Sequence, residues 1–452
     1  MPVQEYKTPL CKGDYLVNKT RLALHSIYSI PVGDMVPDMP DTVMLYAPLA
    51  DSVVLVASEH AEKINDMFST DKLDTLPLEL QPLLAHESEP VSVIKRIEDF
   101  NKLYILLTHK CNFSCSYCYS AHARGSATLD KQTLKHTIAY FINNCIGKHS
   151  RAAITFLGGG EPTVEWDLLE YGLNFAYSMA GQHNIQLSNT IVTNGFTIDE
   201  HKIDVFKKYK TLVRVSFDIL EEIQNQQRGG YDVVSRNVKR LASSGATMCI
   251  RAMITAQSVD LMDKMATTLV SDYPGISNYY FDIVTDPDSF SSMENAERFY
   301  AAYTSQFLAA RAYVRAHGKI LSSAAMRGID FLASRYCPGE FCVTPEGRLT
   351  ICHRAASTNA ADTFFQYGHA DSSGQVLHDP IKLASLLAHD VTGRKGCEYC
   401  YAKWNCGGGC MIQTHQYPPF LNEIVCGFTR DFLRRVLFER VTAFQQASVG
   451  AA

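Results

Sequence analysis

The 452-residue chain has no run of about 18 or more apolar residues, which argues against a membrane-spanning helix. It has no basic excess either. Its 42 lysines and arginines stand against 47 aspartates and glutamates, a formal net charge of -5, so no broad electrostatic surface for nucleic acid or anionic membrane is expected. No charged, apolar and small-residue leader opens the chain, and we expect a cytoplasmic protein. Internal repeats and low-complexity tracts are also missing. The expected partner is therefore a small molecule or a peptide. The length suits two or three domains, at about 150 residues each.

What the chain does have is cysteine, fourteen in all. A reducing cytosol keeps thiols free, so metal or cluster ligation explains them better than disulfides do. Three stand together at Cys111, Cys115 and Cys118, and eight lie between Cys337 and Cys426. Cys11, Cys145 and Cys249 are scattered. Cys145 falls on a helical apolar stripe with Leu134, Ile138, Phe141 and Ile142, and Cys249 falls in an apolar strand pattern; both read as core.

From residue 102 onward short β-rich runs alternate with helical patterns, the signature of βα units and a parallel sheet. Six strands are predicted, at 103–108, 153–157, 190–193, 212–217, 247–254 and 279–284. The predicted fold is α/β, a partial (β/α)6 TIM-like barrel, in which chemistry gathers on the loops after the strands. Three unusual segments fall on that rim. The three cysteines follow the first strand, Gly158-Gly159-Gly160-Glu161-Pro162 follows the second, and Thr193-Asn194-Gly195 ends the third.

Cys-x3-Cys-x2-Cys on a short loop can give three thiolates to three irons of a 4Fe-4S cube and leave the fourth iron open to a chelating small molecule. A zinc site completed by His109 is the competing reading. The segment from Cys111 to Cys118, with Tyr117 before the third cysteine, resembles the signature of the radical SAM superfamily. Gly159-Gly160-Glu161-Pro162 resembles that family's GGE motif, and Ser216-Phe217-Asp218 with Arg228 resembles the serine, aspartate and later arginine of its peptide-modifying branch. The resemblance implies that Tyr117 lies against the adenine of S-adenosylmethionine (SAM). Gly159, Gly160 and Glu161 would meet its amino group, and Arg228 its carboxylate. Asn194 and Ser216 would contact ribose or carboxylate.

The second cysteine set, Cys337, Cys342, Cys352, Cys397, Cys400, Cys406, Cys410 and Cys426, supplies enough thiols for two fully ligated 4Fe-4S clusters. Taken alone, it could equally form zinc ribbons. Its order resembles the SPASM domain found behind radical SAM barrels. That resemblance implies one auxiliary cluster on Cys337, Cys342, Cys352 and Cys410, and a second on Cys397, Cys400, Cys406 and Cys426. The cofactors implied are thus SAM and three 4Fe-4S clusters.

The expected organisation is an N-terminal region at 1–98, able to serve equally as a leader-peptide-binding module or as a structural wrap around the barrel, and a radical SAM barrel at 99–325. A SPASM domain at 326–430 and a C-terminal helix and tail at 431–452 complete it. The implied activity is reductive cleavage of SAM to a 5'-deoxyadenosyl radical that abstracts hydrogen from a residue of a ribosomally made precursor peptide. The product would be a thioether or carbon-carbon crosslink, or an oxidised residue. Anaerobic sulfatase maturation, with formylglycine as product, is the alternative. Expected partners are the peptide or protein substrate and a one-electron donor such as flavodoxin or ferredoxin, with neither nucleic acid nor membrane.

Overall fold

The structure, a computed structural model, describes residues 26–69, 77–85 and 89–449; Cys11 lies outside them. The chain divides into two units, the first made of Met1–Ser92, Ala325–Cys337 and His389–Ala452. Within it, the β-branched run at Val53, Val54 and Val56 forms the third strand of a small antiparallel sheet. Its strands are β1 (Tyr28–Pro31), β2 (Thr42–Ala47) and β3 (Ser52–Ala57). The central strand β2 is buried along its whole length. The helix Ser58–Ser69 sets Ala61 and Ile64 against Val43, Leu45 and Ala47 of that strand.

Later segments of the chain join the same unit. The Tyr46 hydroxyl donates to Asn405 Oδ1 at 2.9 Å, and Arg434 forks onto Asp34 at 2.8 and 3.0 Å. The closing helix is Pro419–Val449, beginning twelve residues before the helix and tail expected at 431–452. Proline is tolerated in a helix's first turn, so Pro419 can open it, and Cys426 is carried on its early turns.

The second unit comprises Val93–Ala324 and Pro338–Ala388. The six predicted strands are present as β4 (Lys102–Ile105), β5 (Arg151–Phe156), β6 (Gln186–Thr193), β7 (Leu212–Ser216), β8 (Met248–Ile254) and β9 (Asn278–Ile283). A seventh, β10 (Ile320–Ser322), was too short to stand out in sequence. All seven are parallel and adjacent in chain order. The expected α/β architecture is therefore present. The ladder ends at β10 on one side and stays open, so barrel character rests on strand order rather than on closure.

Strand alternation sorts this sheet into two faces. Leu103, Ile105, Ile154, Phe156, Ile191, Val213, Val215, Ile250, Ala252 and Phe281 are fully buried. The alternate positions Tyr104, Thr155, Val192, Arg214, Arg251 and Tyr280 are only partly covered. Helices such as Lys131–Cys145 and Trp166–Gln182 lie between successive strands; Asp130 caps the first of them by accepting from the backbone N–H of Gln132 and Thr133. Cys145 and Cys249 sit in the core, as their apolar patterns suggest.

Beyond β4 the same sheet continues into the cysteine-rich region. β11 (Phe341–Val343) pairs in parallel with β4, placing Cys342 opposite Tyr104. Three antiparallel strands, β12 (Arg348–Thr350), β13 (Gln366–Ala370) and β14 (Val376–His378), complete eleven. Phe156 is fully buried in β5 and faces Gly172 across the helix interface. Phe156→Ala is expected to cost about 3–5 kcal/mol, seen as a lower urea midpoint with an unchanged slope.

Candidate active site

The loop after β4 carries Cys111, Cys115 and Cys118, with Cys111 exposed and the other two half-buried. All thirteen described cysteines are free thiols. The loop is fixed at both ends by backbone bonds. His109 N–H donates to Ala127 O at 2.9 Å, Ser116 N–H to Gln227 O at 2.9 Å, and Cys118 N–H to Cys115 O at 3.3 Å. Burial raises the Cys111 and Cys115 thiols, and the positive charge of Arg228 opposes this at Cys115. Three free thiols within eight residues on an accessible loop fit a cluster that takes three protein ligands. His109, the alternative fourth ligand, is turned elsewhere: its Nε2 lies 3.1 Å from Glu346 Oε1.

The glycine segment after β5 lies directly against this loop. Gly160 N–H donates to Thr108 O at 2.7 Å and Glu161 N–H to Lys110 O at 2.9 Å. A Cβ on Gly160 would collide with the Lys110 carbonyl, and Gly159 holds φ +80, a left-handed conformation natural to glycine. These glycines bring two backbone segments to hydrogen-bonding distance where any side chain would part them.

Glu161 has its own task in this rim. Its Oε1 accepts from Thr163 N–H at 3.1 Å and from the hydroxyls of Thr163 and Thr193, both at 2.6 Å; its Oε2 accepts from Asn194 N–H at 2.7 Å. One buried carboxylate thus joins the ends of β5 and β6. Asn194 continues the chain of contacts, donating from Nδ2 to Asn112 Oδ1 at 2.7 Å within the thiol loop. Ser216, half-buried at the end of β7, pairs with Arg251 of β8.

Tyr117, Asp218 and Arg228 form a set that sequence reasoning missed as a set. The Tyr117 hydroxyl donates to Asp218 Oδ2 at 2.7 Å and accepts from Arg228 Nη1 at 2.7 Å. Arg228, expected at the carboxylate of SAM, is in this way engaged by the ring hydroxyl of Tyr117. Asp218 is fully buried and also accepts from Met253 N–H at 3.1 Å. Burial pushes its carboxyl up against the pull of the Arg228 charge and of these two bonds. Tyr117 and Asp218 are 101 residues apart, a distance over which periodicity carries no signal.

The remaining cysteines divide between the units. In the second unit, Cys342 is fully buried, and its thiol is raised by burial and by nearby Glu340 and Cys352. Glu340, Cys352 and His353 present donor atoms within 4.8 Å of one another. Glu340 also receives His353 N–H at 2.6 Å and lies 2.8 Å from its Nδ1. In the first unit, tight turns gather Cys397, Cys400 and Cys406, with Cys400 N–H on Cys397 O at 3.2 Å and Lys403 N–H on Cys400 O at 2.9 Å. Burial and the neighbouring Cys400 and Cys397 push Cys406 up to about 12. Crowded thiols disfavour one another's thiolates unless a metal compensates them, so this half-buried trio fits a cluster site. Cys337, Cys410 and Cys426 belong to the first unit as well.

The fold and the thiol loop together define a strand-end site whose three thiols suit a 4Fe-4S cluster. Residues 105–258 match the model of the radical SAM superfamily. The chain thus carries a radical SAM domain, which implies SAM and a 4Fe-4S cluster as cofactors. It is similar to the radical SAM cyclopropyl synthase TigE of Paramaledivibacter caminithermalis, 23% identical over 176 residues; the match covers 36% of this chain and 36% of that protein. Among solved structures it resembles native anSMEcpe with bound AdoMet, with a TM-score of 0.59 and 15% identity over 76% of this chain and 98% of that one. It also resembles SuiB of Streptococcus suis bound to precursor peptide SuiA, with a TM-score of 0.50 and 13% identity over 85% and 96% of the two chains. Among the described residues no helix is long and apolar enough to cross a membrane.

Two expectations follow from this geometry. Glu161→Ala removes four accepted bonds from a buried carboxylate and should cost about 3 kcal/mol, with Glu161→Gln milder, as read in urea melts. Glu346 sits at about 2: burial raises it, but the hydrogen bond from His109 and the interactions with His109 and Arg348 outweigh burial. A carboxyl held below its unfolded value of about 4.3 contributes stability above that value and loses it as pH falls. The stability gap between wild type and Glu346→Gln should therefore narrow from roughly pH 5 to pH 3 in apo-protein urea melts.

Proposed function

We propose that the chain is a peptide maturase in which SAM docks on the rim built by Gly159, Gly160, Glu161, Asn194 and Ser216. Its 4Fe-4S cluster would be held by Cys111, Cys115 and Cys118. The observation that carries this is the pairing of β4 on both sides: β5 brings the glycine rim to the thiol loop, and β11 sets Cys342 one strand away. The cluster, once bound, supplies the electron that splits SAM into methionine and the 5'-deoxyadenosyl radical that takes a hydrogen atom from the substrate.

The protein's own share is positioning. Glu161 fixes the rim, the glycines let the backbone approach the ligand, and the half-covered face of the sheet, with Tyr104, Thr155, Arg214, Arg251 and Tyr280, offers a surface for substrate. We read the substrate as a ribosomally made precursor peptide. SuiB, which shares this fold, has been solved with such a peptide bound. The small β1–β3 sheet would dock its leader, and a flavodoxin or ferredoxin would supply electrons. Auxiliary clusters on the C-terminal cysteines belong to the same reading, the trio Cys397, Cys400 and Cys406 with Cys426 being one set. Sulfatase maturation is the second reading, favoured by the higher TM-score of the anSMEcpe likeness.

Anaerobically reconstituted protein is expected to hold about 12 irons, falling to about 8 in the variant with Cys111, Cys115 and Cys118 all changed to Ala. That variant should form no 5'-deoxyadenosine. About 4 irons in the wild type, or zinc in the C-terminal sites, would remove the auxiliary clusters from the reading. Mass spectrometry of a co-expressed precursor should show a loss of hydrogen. Conversion of a Cys-x-Pro-x-Arg peptide to an aldehyde would instead establish the sulfatase reading.

A further inference from the structure

Between the second and third thiols of the loop stands a side chain that is tied at its far end. The Tyr117 hydroxyl lies 2.7 Å from both Asp218 Oδ2 and Arg228 Nη1, giving to the first and accepting from the second. Neither partner is free to drift. Asp218 is fully buried and accepts Met253 N–H from β8, while its own N–H donates to Gln224 Oε1 at 2.9 Å. Gln224 in turn donates from Nε2 to Gly229 O at 2.9 Å, closing the turn that carries Arg228. Ser116 N–H on Gln227 O fastens the same turn to the loop a second time.

The turn itself is held in an unfavourable shape. Ile219, next to Asp218, is fully buried with φ +70, a left-handed conformation that a β-branched residue adopts only when its surroundings impose it. Phenylalanine would fill the same space in Tyr117's place, so packing does not call for the hydroxyl. Fixing the orientation of the ring does.

We propose that Asp218 and Arg228 are positioning residues for SAM, acting through Tyr117 to hold the Cys115–Cys118 segment and its ring in the orientation that receives the ligand. This gives Arg228 a role that does not require it to reach the carboxylate of SAM. The inference rests on the reading that SAM docks at this rim.

The test uses reconstituted holoenzyme: wild type, Tyr117→Phe and Asp218→Asn, each assayed for iron, for SAM affinity by equilibrium dialysis, and for the change that SAM induces in the EPR spectrum of the reduced cluster. Tyr117→Phe keeps the ring and is expected to retain wild-type iron, yet to bind SAM about tenfold more weakly, as loss of a charge-assisted hydrogen bond would produce. Its SAM-induced EPR change should be diminished. Asp218→Asn, which keeps an acceptor for the hydroxyl, should fall between the two.

Wild-type affinity and EPR response in Tyr117→Phe would overturn the inference. So would a loss of iron in step with the loss of SAM binding, since that marks a merely structural tie. Failure of the wild type itself to bind SAM would overturn the reading beneath the inference, and the wild-type arm separates that case from the other two.

Discussion

Everything at the rim depends on one strand being paired on both edges. β4 is only Lys102–Ile105, yet β5 lies on one side and β11 on the other, both parallel to it. A parallel ladder fixes direction as well as register, so the segments that leave β4 and β5 must emerge at the same end of the sheet. That places the thiol loop against the glycine segment, where Gly160 N–H on Thr108 O and Glu161 N–H on Lys110 O join them. The β11 pairing reaches the same strand from 238 positions later in the chain, counted from Leu103 to Phe341, and sets Cys342 opposite Tyr104.

Secondary contacts convert this adjacency into a defined geometry. Glu161 accepts from residues on both sides of the β5–β6 boundary and so fixes the spacing of two strand ends with one carboxylate. A glutamine would offer one acceptor oxygen in place of two and could not accept all four bonds, and charged acceptors also make stronger ones. The Tyr117 contacts do the same work between the thiol loop and β7. Here two opposite charges share one hydroxyl in place of a direct bond, so neither can be removed without leaving the other buried and uncompensated.

Much of the fold was legible because the βα alternation writes itself in two periods. All six strands read from the sequence are present and parallel, with ends differing by a few residues. The glycine rim was legible for the same reason, since its position after a strand gave the motif its meaning. What could not be read came from long range. β10 has three residues and only its pairing with β9 identifies it. Glu346 shows nothing in sequence to link it with His109, yet the β11–β12 turn brings it within 3.1 Å of the residue two places before Cys111. Arg228 drew a reading from its motif, and the structure adds a partner, the Tyr117 hydroxyl, that no local pattern could supply.

The two cysteine groups differ physically as well as in spacing, and the difference bears on what each can do. The loop thiols are exposed or half-buried at a strand end, where one coordination position can remain open to a small molecule. Cys342, by contrast, is fully buried, with its thiol raised by burial and by nearby Glu340 and Cys352. A metal held beside it would be shielded from solvent, a condition that favours holding or passing electrons over binding a substrate. One chain thus carries an exposed thiol at Cys111 and a fully enclosed one at Cys342. It does so by placing the first on a loop tied through Tyr117 and Asn112, and the second on β11 beside β4.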